Sequence, residues 1–241
     1  MTVLLKRSRY LFIVLIAALF FSCSAKIDGI LKEDGSAELS LETSLGRQTR
    51  ALIRSIMGVA GSHGEEVVLN GEEISRSMAN APGIRAVSLK NTSPTAIQGT
   101  ISLSNVGGFL TAASSKSRFI TYTSGRTAGS SSIVIALDRS SAPHVISMLS
   151  PEVEDHLMLL MAPALFGDAT TKQEYLDLLA GVYGRPLADE IANSKVALSV
   201  EFPRQITSVK GGKAAGRKAE FEVPLTDILV LEEPLRYEVV W

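Results

Sequence analysis

The chain has 241 residues, 46% of them hydrophobic, a composition that excludes a wholly disordered polymer and is enough for a real core. Its 24 lysines and arginines stand against 25 aspartates and glutamates, without the basic excess of a nucleic-acid binder, so no DNA or RNA partner is expected. With one cysteine, Cys23, there is no disulfide and no thiolate metal cluster to expect.

Lys6, Arg7 and Arg9 precede an apolar run at 10–21, YLFIVLIAALFF, which ends at Ser22 and Cys23. A positive segment followed by a dozen apolar residues has signal-peptide geometry. A spanning helix needs about 20 apolar residues, and this run is shorter. Phe20-Phe21-Ser22-Cys23 resembles the lipobox of bacterial lipoproteins, with a large apolar residue three places before the cysteine and a small one just before it. The resemblance implies that residues 1–22 are a lipoprotein signal peptide. Cleavage after Ser22 would leave Cys23, acylated by fatty chains such as palmitate, as the N-terminus. The alternative is an ordinary secretory signal with a coincidental cysteine.

At ~0.8 kcal/mol per buried methylene, one acyl chain binds marginally, whereas two or three on one residue hold a protein on the membrane. The expected location is the bacterial cell envelope, anchored to a membrane and facing the periplasm or exterior. Removing residues 1–22 takes away Lys6, Arg7 and Arg9 and leaves 219 residues, with 21 basic against 25 acidic side chains and a formal charge of −4.

Residues 26–31 and 37–45 read as two strands joined through Asp34-Gly35, a hairpin signal, with Ala37, Leu39 and Leu41 alternating against Glu38, Ser40 and Glu42. Almost no tether separates them from Cys23, so the domain should ride close to the bilayer. Residues 47–60 predict a helix with Leu52, Ile53 and Ile56 on one side and Arg47, Arg50 and Arg54 on the other. The arginines suit lipid phosphates beside the anchor, or simply a solvated face.

A second helix is expected around 72–78. Strands follow at 84–89 and 97–103 around the loop Asn91-Thr92-Ser93-Pro94, then at 119–123 and 133–137 around a Gly/Ser-rich turn. Ser150-Pro151-Glu152 predicts a helix start leading into the apolar run 156–166. Thr171 and Glu174 form a capping-box signature for a helix to Tyr183, and 186–193 adds further turns. Alternation returns in Val196, Leu198, Val200 and Phe202, in Ala219, Phe221, Val223 and Leu225, and in Leu235, Tyr237, Val239 and Trp241. Residues 210–218, KGGKAAGRK, read as an exposed basic turn.

The fold class expected is α+β, an antiparallel sheet with helices packed on one face. Residues 23–241 form one lipid-anchored domain, with a helical insert at about 141–193 and C-terminal strands at about 195–241. The N-terminal and C-terminal strands should share a sheet.

Searches for chemistry end without a site. The stretch 211–218 has Arg217 where a phosphate loop needs lysine, and no following Ser or Thr. Nucleophile-elbow, Ser-x-x-Lys and His-Glu-x-x-His patterns are lacking. His63, His144 and His156 do not fall at metal-ligand spacing, and Glu152 with His156 fits a helix pair better than a zinc site. No metal, cofactor or catalytic residue is expected. The apolar insert, Leu157 to Phe166 with Leu176, Leu179, Val182 and Tyr183, offers contacts for an acyl chain or partner, with Leu157, Leu160, Met161, Phe166, Leu179 and Tyr183 foremost, or is plain core.

The cysteine followed closely by Asp34-Gly35-Ser36, together with Val200-Glu201-Phe202-Pro203, Ile206, Val209, Gly211 and Gly212, resembles the LppM-like family of envelope lipoproteins. The resemblance implies an α+β domain on the membrane, with lipid or glycolipid handling and no enzymatic activity. The leading expectation is a non-enzymatic binding domain for a lipid or amphiphile. The alternatives are a structural or assembly lipoprotein that binds a protein partner, and an anchored hydrolase.

Overall fold

The computed structural model describes residues 24–56, 70–79, 82–114, 119–125, 129–143, 158 and 160–241, with backbone alone at 111–114. The chain opens with β1 (Ser24–Leu31) and β2 (Ala37–Ser44), then α1 (Arg47–Ile56) and α2 (Gly71–Met78). Next come β3 (Ile84–Ser93), β4 (Ala96–Leu103), α3 (Val106–Ser114), β5 (Ile120–Thr123) and β6 (Ser132–Leu137). The insert holds α4 (Pro163–Phe166), α5 (Lys172–Tyr183) and α6 (Arg185–Ala192). The last part contains β7 (Lys195–Glu201), β8 (Ser208–Lys210), β9 (Lys213–Ala215), β10 (Lys218–Pro224), α7 (Leu225–Val230) and β11 (Leu235–Val240).

The expected α+β class is the observed one, arranged as two sheets. The larger has the order β3-β4-β2-β1-β7-β10-β9 and the smaller β5-β6-β11-β8. N-terminal and C-terminal strands share the larger sheet through a parallel pairing of β1 with β7, beside antiparallel neighbours. The hairpin at Asp34-Gly35 forms as its chemistry predicts. Gly35 takes φ +82°, and Asp34 Oδ1 accepts from both the backbone N and the Oγ of Ser36.

One face of the larger sheet is wet and the other dry. Ile27, Leu41, Leu89, Ile101 and Phe221 point inward, where they meet Val239 and Trp241 of the smaller sheet, Ile53 of α1, Met78 of α2 and Phe109 of α3. Trp241 is buried against Phe202, with ring centroids 4.6 Å apart. Its backbone exchanges both hydrogen bonds with Ser131.

A second core lies in the helices. Tyr175 and Leu179 of α5, Leu187 and Ile191 of α6, and Leu225 and Leu229 of α7 are buried together, with Leu52 of α1 packed on them. Adjacent residues of α1 therefore serve both cores, Ile53 one and Leu52 the other.

Several expectations change. The apolar run 156–166 is not one helix, because Met161 adopts φ 49°, Ala162 is extended and Pro163 starts α4 without an N–H to continue a ladder. The run's first part and the start expected at Pro151 lie outside the described residues. Strand β3 continues to Ser93 through a register shift, where the sequence suggests a loop. Leu225, the last member of an alternating run, instead begins α7, and α3 forms despite Gly107 and Gly108. The basic turn at 210–218 is a ribbon joining the sheets, with β8 in one and β9 in the other. Glycine is required there: a Cβ on Gly212 would stand 2.4 Å from the Phe221 ring, and one on Gly211 2.7 Å from the Tyr237 ring.

Candidate membrane-facing site

The site is defined by one end of the larger sheet. Ser24, the first residue of β1, lies opposite Ser44 in β2 and Lys195 in β7, and Lys195 lies opposite Pro224 in β10. Helix α1 begins three residues after Ser44, α6 ends three before Lys195, and α7 follows Pro224 directly. Three helices thus converge where the chain emerges from Cys23. Cys23 itself is outside the described residues.

This end is fastened by a long-range cap. The Glu190 carboxylate of α6 accepts from Gln48 N at 2.9 Å, Thr49 N at 2.8 Å and Thr49 Oγ1 at 2.8 Å, satisfying open donors of the first turn of α1. An anion at a helix N-terminus is also favoured by the aligned peptide dipoles. Leu225 N donates to Ser194 O at 2.9 Å, tying α7 to the end of α6. The expected capping box at the start of α5 is present, with Thr171 and Glu174 bonded reciprocally.

The six apolar candidates of the insert divide. Leu160 and Leu179 are buried packing residues, and Tyr175 donates its hydroxyl to the Leu160 carbonyl at 3.0 Å. Met161 and Tyr183 are partly buried against the same core, whereas Phe166 is 60% exposed. Leu157 lies outside the described residues. Met158 and Val182, within the apolar set offered by the sequence, are 47 and 55% exposed, as is Leu178 at 45%, which that set omits. Leu178 and Val182 are one turn apart on α5, so they share a face.

Arg47 is exposed and Arg50 and Arg54 are half-buried on α1. They take part in no ion pair among the described residues, and Arg50 Nε is buried without a hydrogen-bond partner.

The wet face of the larger sheet carries the other concave surface. An open hollow of about 440 Å³ runs over Asp28, Ile30, Ser40, Thr100, Ser102 and Ser199, and a neighbouring one of about 700 Å³ over Lys26, Gly212 and Glu222. Several of its charges are paired. Lys26 meets Asp28 at 2.7 Å, Lys195 meets Glu222 at 2.8 Å, and Arg217 meets Glu201.

No family model matches the sequence, and no curated protein matches it. The chain resembles a solved structure, the folded domain of the Mycobacterium tuberculosis LppM protein determined by NMR. The match has a TM-score of 0.39 and 9% identity and covers 90% of this chain and 87% of that one. The LppM-like resemblance read from the short motifs is met again here as a distant likeness. It carries no residue roles.

The carboxylates held low among the described residues belong to turns, caps and surface pairs. Glu38 is held below its ordinary value by its hydrogen bond from Lys32, Glu222 by that from Lys195, Glu174 by the Thr171 backbone and Asp138 by Ser140. A general acid at neutral pH requires the opposite push. Burial raises the Tyr175 phenol, whose proton is committed to Leu160. Among the described residues no three His, Cys, Asp or Glu side chains cluster as metal ligands, and no helix is long and apolar enough to cross a membrane. His63, His144 and His156 lie outside the described residues.

Proposed function

We propose that the protein is a lipid-anchored, non-enzymatic binding domain of the bacterial cell envelope, held through acylated Cys23. One observation carries the reading: β1 begins at Ser24, immediately after the lipobox-like cysteine, and is a central strand of the larger sheet. Acylation at Cys23 would hold that sheet at the bilayer with no spacer. The bound species is an amphiphile or lipid, and the exposed apolar side chains of the insert supply its contacts. Phe166, Leu178 and Val182 are large apolar groups left uncovered on a small helical unit, a pattern that marks interaction surfaces.

The strand edges favour this reading over assembly by strand addition. At the β3 edge, Ser75 of α2 accepts from Leu89 N at 2.8 Å, and the other edge strands, β9, β5 and β8, have three or four residues each. Short or covered edges make poor templates for another chain.

The test is mass spectrometry of the full chain expressed in a bacterium that lipidates its own envelope proteins. A mature N-terminus at Cys23 bearing fatty acyl mass, lost in Cys23→Ser, is expected. An unacylated Cys23, or cleavage elsewhere, would overturn the anchoring. Co-purified lipid of defined mass, diminished in Phe166→Ser and Val182→Ser, would support the binding role.

A further inference from the structure

From the position of α1 we infer that its Arg47, Arg50 and Arg54 form a second attachment, an anionic phospholipid surface bound by the helical end of the molecule, which orients the domain on its anchor. The inference rests on the proposed acylation of Cys23 for its place at the bilayer. Three observations meet there.

The first is placement. Ser24, the start of α1, the end of α6 and the start of α7 share one end of the larger sheet, as its register fixes. A membrane holding Cys23 must lie on that side, while the Asp34-Gly35 hairpin closes the opposite end of the β1–β2 ladder.

The second is charge. With 3.6 residues per turn, positions 47, 50 and 54 occupy a strip about 60° wide. Buried Thr49 and Ile53 lie outside that strip, Ile53 adjoining half-buried Arg50. The cap from Glu190 holds the helix N-terminus through backbone and Thr49. On the wet sheet face Lys26 pairs with Asp28 and Lys195 with Glu222, whereas the three arginines have no ion pair among the described residues. On a mature chain with a net charge of −4, an arginine strip without an ion pair among the described residues, on a helix that starts at the anchor end, suits phosphate oxygens.

The third is apolar exposure on the same helical unit. Leu178 and Val182 of α5, with Phe166, offer exposed apolar side chains for the interfacial layer.

The test uses residues 24–241, which retain every described element, and sedimentation with vesicles of phosphatidylglycerol or of phosphatidylcholine alone. Partition into the anionic vesicles that weakens with salt is expected. Each arginine near such a surface is worth about a factor of five, so R47Q/R50Q/R54Q should lose about a hundredfold. Should removal of half-buried Arg50 disturb the fold by circular dichroism, R47Q/R54Q keeps it and should lose about twenty-five-fold.

Removing equal charge along β8, β9 and the start of β10, in K210Q/K213Q/K218Q, should leave partition nearly unchanged. Equal partition into both vesicles, or equal losses from the two triple variants, would overturn the inference. Acylation of Cys23 is read separately on the full chain, so a bare cysteine would sink the anchoring reading whatever the vesicles show.

Discussion

The two cores of this molecule solve the same burial problem with different surfaces. The sandwich core packs two sheets face to face around Trp241, Phe202 and Phe221, and the sheet face turned to solvent is dressed mainly with serines, threonines and paired charges, with Ile30 the large apolar side chain exposed there. The helical core is equally dry inside, with Tyr175, Leu179, Leu229 and Val230 fully buried, yet it leaves Met158, Phe166, Leu178 and Val182 uncovered. The interiors account for folding. The difference between their exteriors points to where a hydrophobic surface is met.

If both cores fold as one unit through α1, damage to either should be felt by both. Trp241→Ala should cost the most, about 3–5 kcal/mol, because it removes the largest ring from a closed interior. Leu179→Ala should cost about 2–5 kcal/mol in the helical core. Denaturant melts followed by tryptophan fluorescence and by circular dichroism should coincide for Leu179→Ala. Separated transitions would show two independent halves.

Glu190→Ala sharpens the comparison at the joint. It strips the acceptor from Gln48 N, Thr49 N and Thr49 Oγ1, and should cost about 1–3 kcal/mol in the same melts. Val182→Ser and Leu178→Ser, on the exposed side, should shift stability by no more than about 0.5 kcal/mol.

Burial raises a phenol in each core, Tyr175 in the helical one and the partly buried Tyr237 in the sandwich. The buried Tyr175 phenol has a raised pKa, so its neutral form is the folded form; that contribution is complete below about pH 10, the value of an unfolded tyrosine, and is lost as pH rises. Alkaline melts should weaken the helical core above about pH 10, and Tyr175→Phe should remove that dependence while losing the bond to Leu160. Glu174 and Asp138 have depressed values, so the stability they add is lost on acidification below about pH 4.

Much of the sheet was legible because its alternation is strict. Ala37, Leu41 and Thr43 point inward while Glu38 and Glu42 point out, as a period of two requires. The Thr171 capping box and the Asp34-Gly35 turn were equally plain, being local hydrogen-bond chemistry. What remained hidden was nonlocal. Glu190 and Gln48 are 142 residues apart in the chain, and no spacing rule connects them. The parallel partnership of β1 and β7 is likewise set by the fold rather than by either strand's pattern. Leu160 and Leu178 look alike as letters in an apolar stretch; only packing distinguishes the buried one from the exposed one.

The most direct measurement of the central claim is hydrogen exchange on the lipidated full chain, in nanodiscs of phosphatidylglycerol and in detergent. The account predicts added protection in nanodiscs over Arg47–Ile56 and Lys172–Tyr183, with the Asp34-Gly35 hairpin unchanged. Protection at the hairpin, or over the wet face of the larger sheet instead of the helices, would place the bilayer on another side of the molecule and contradict it.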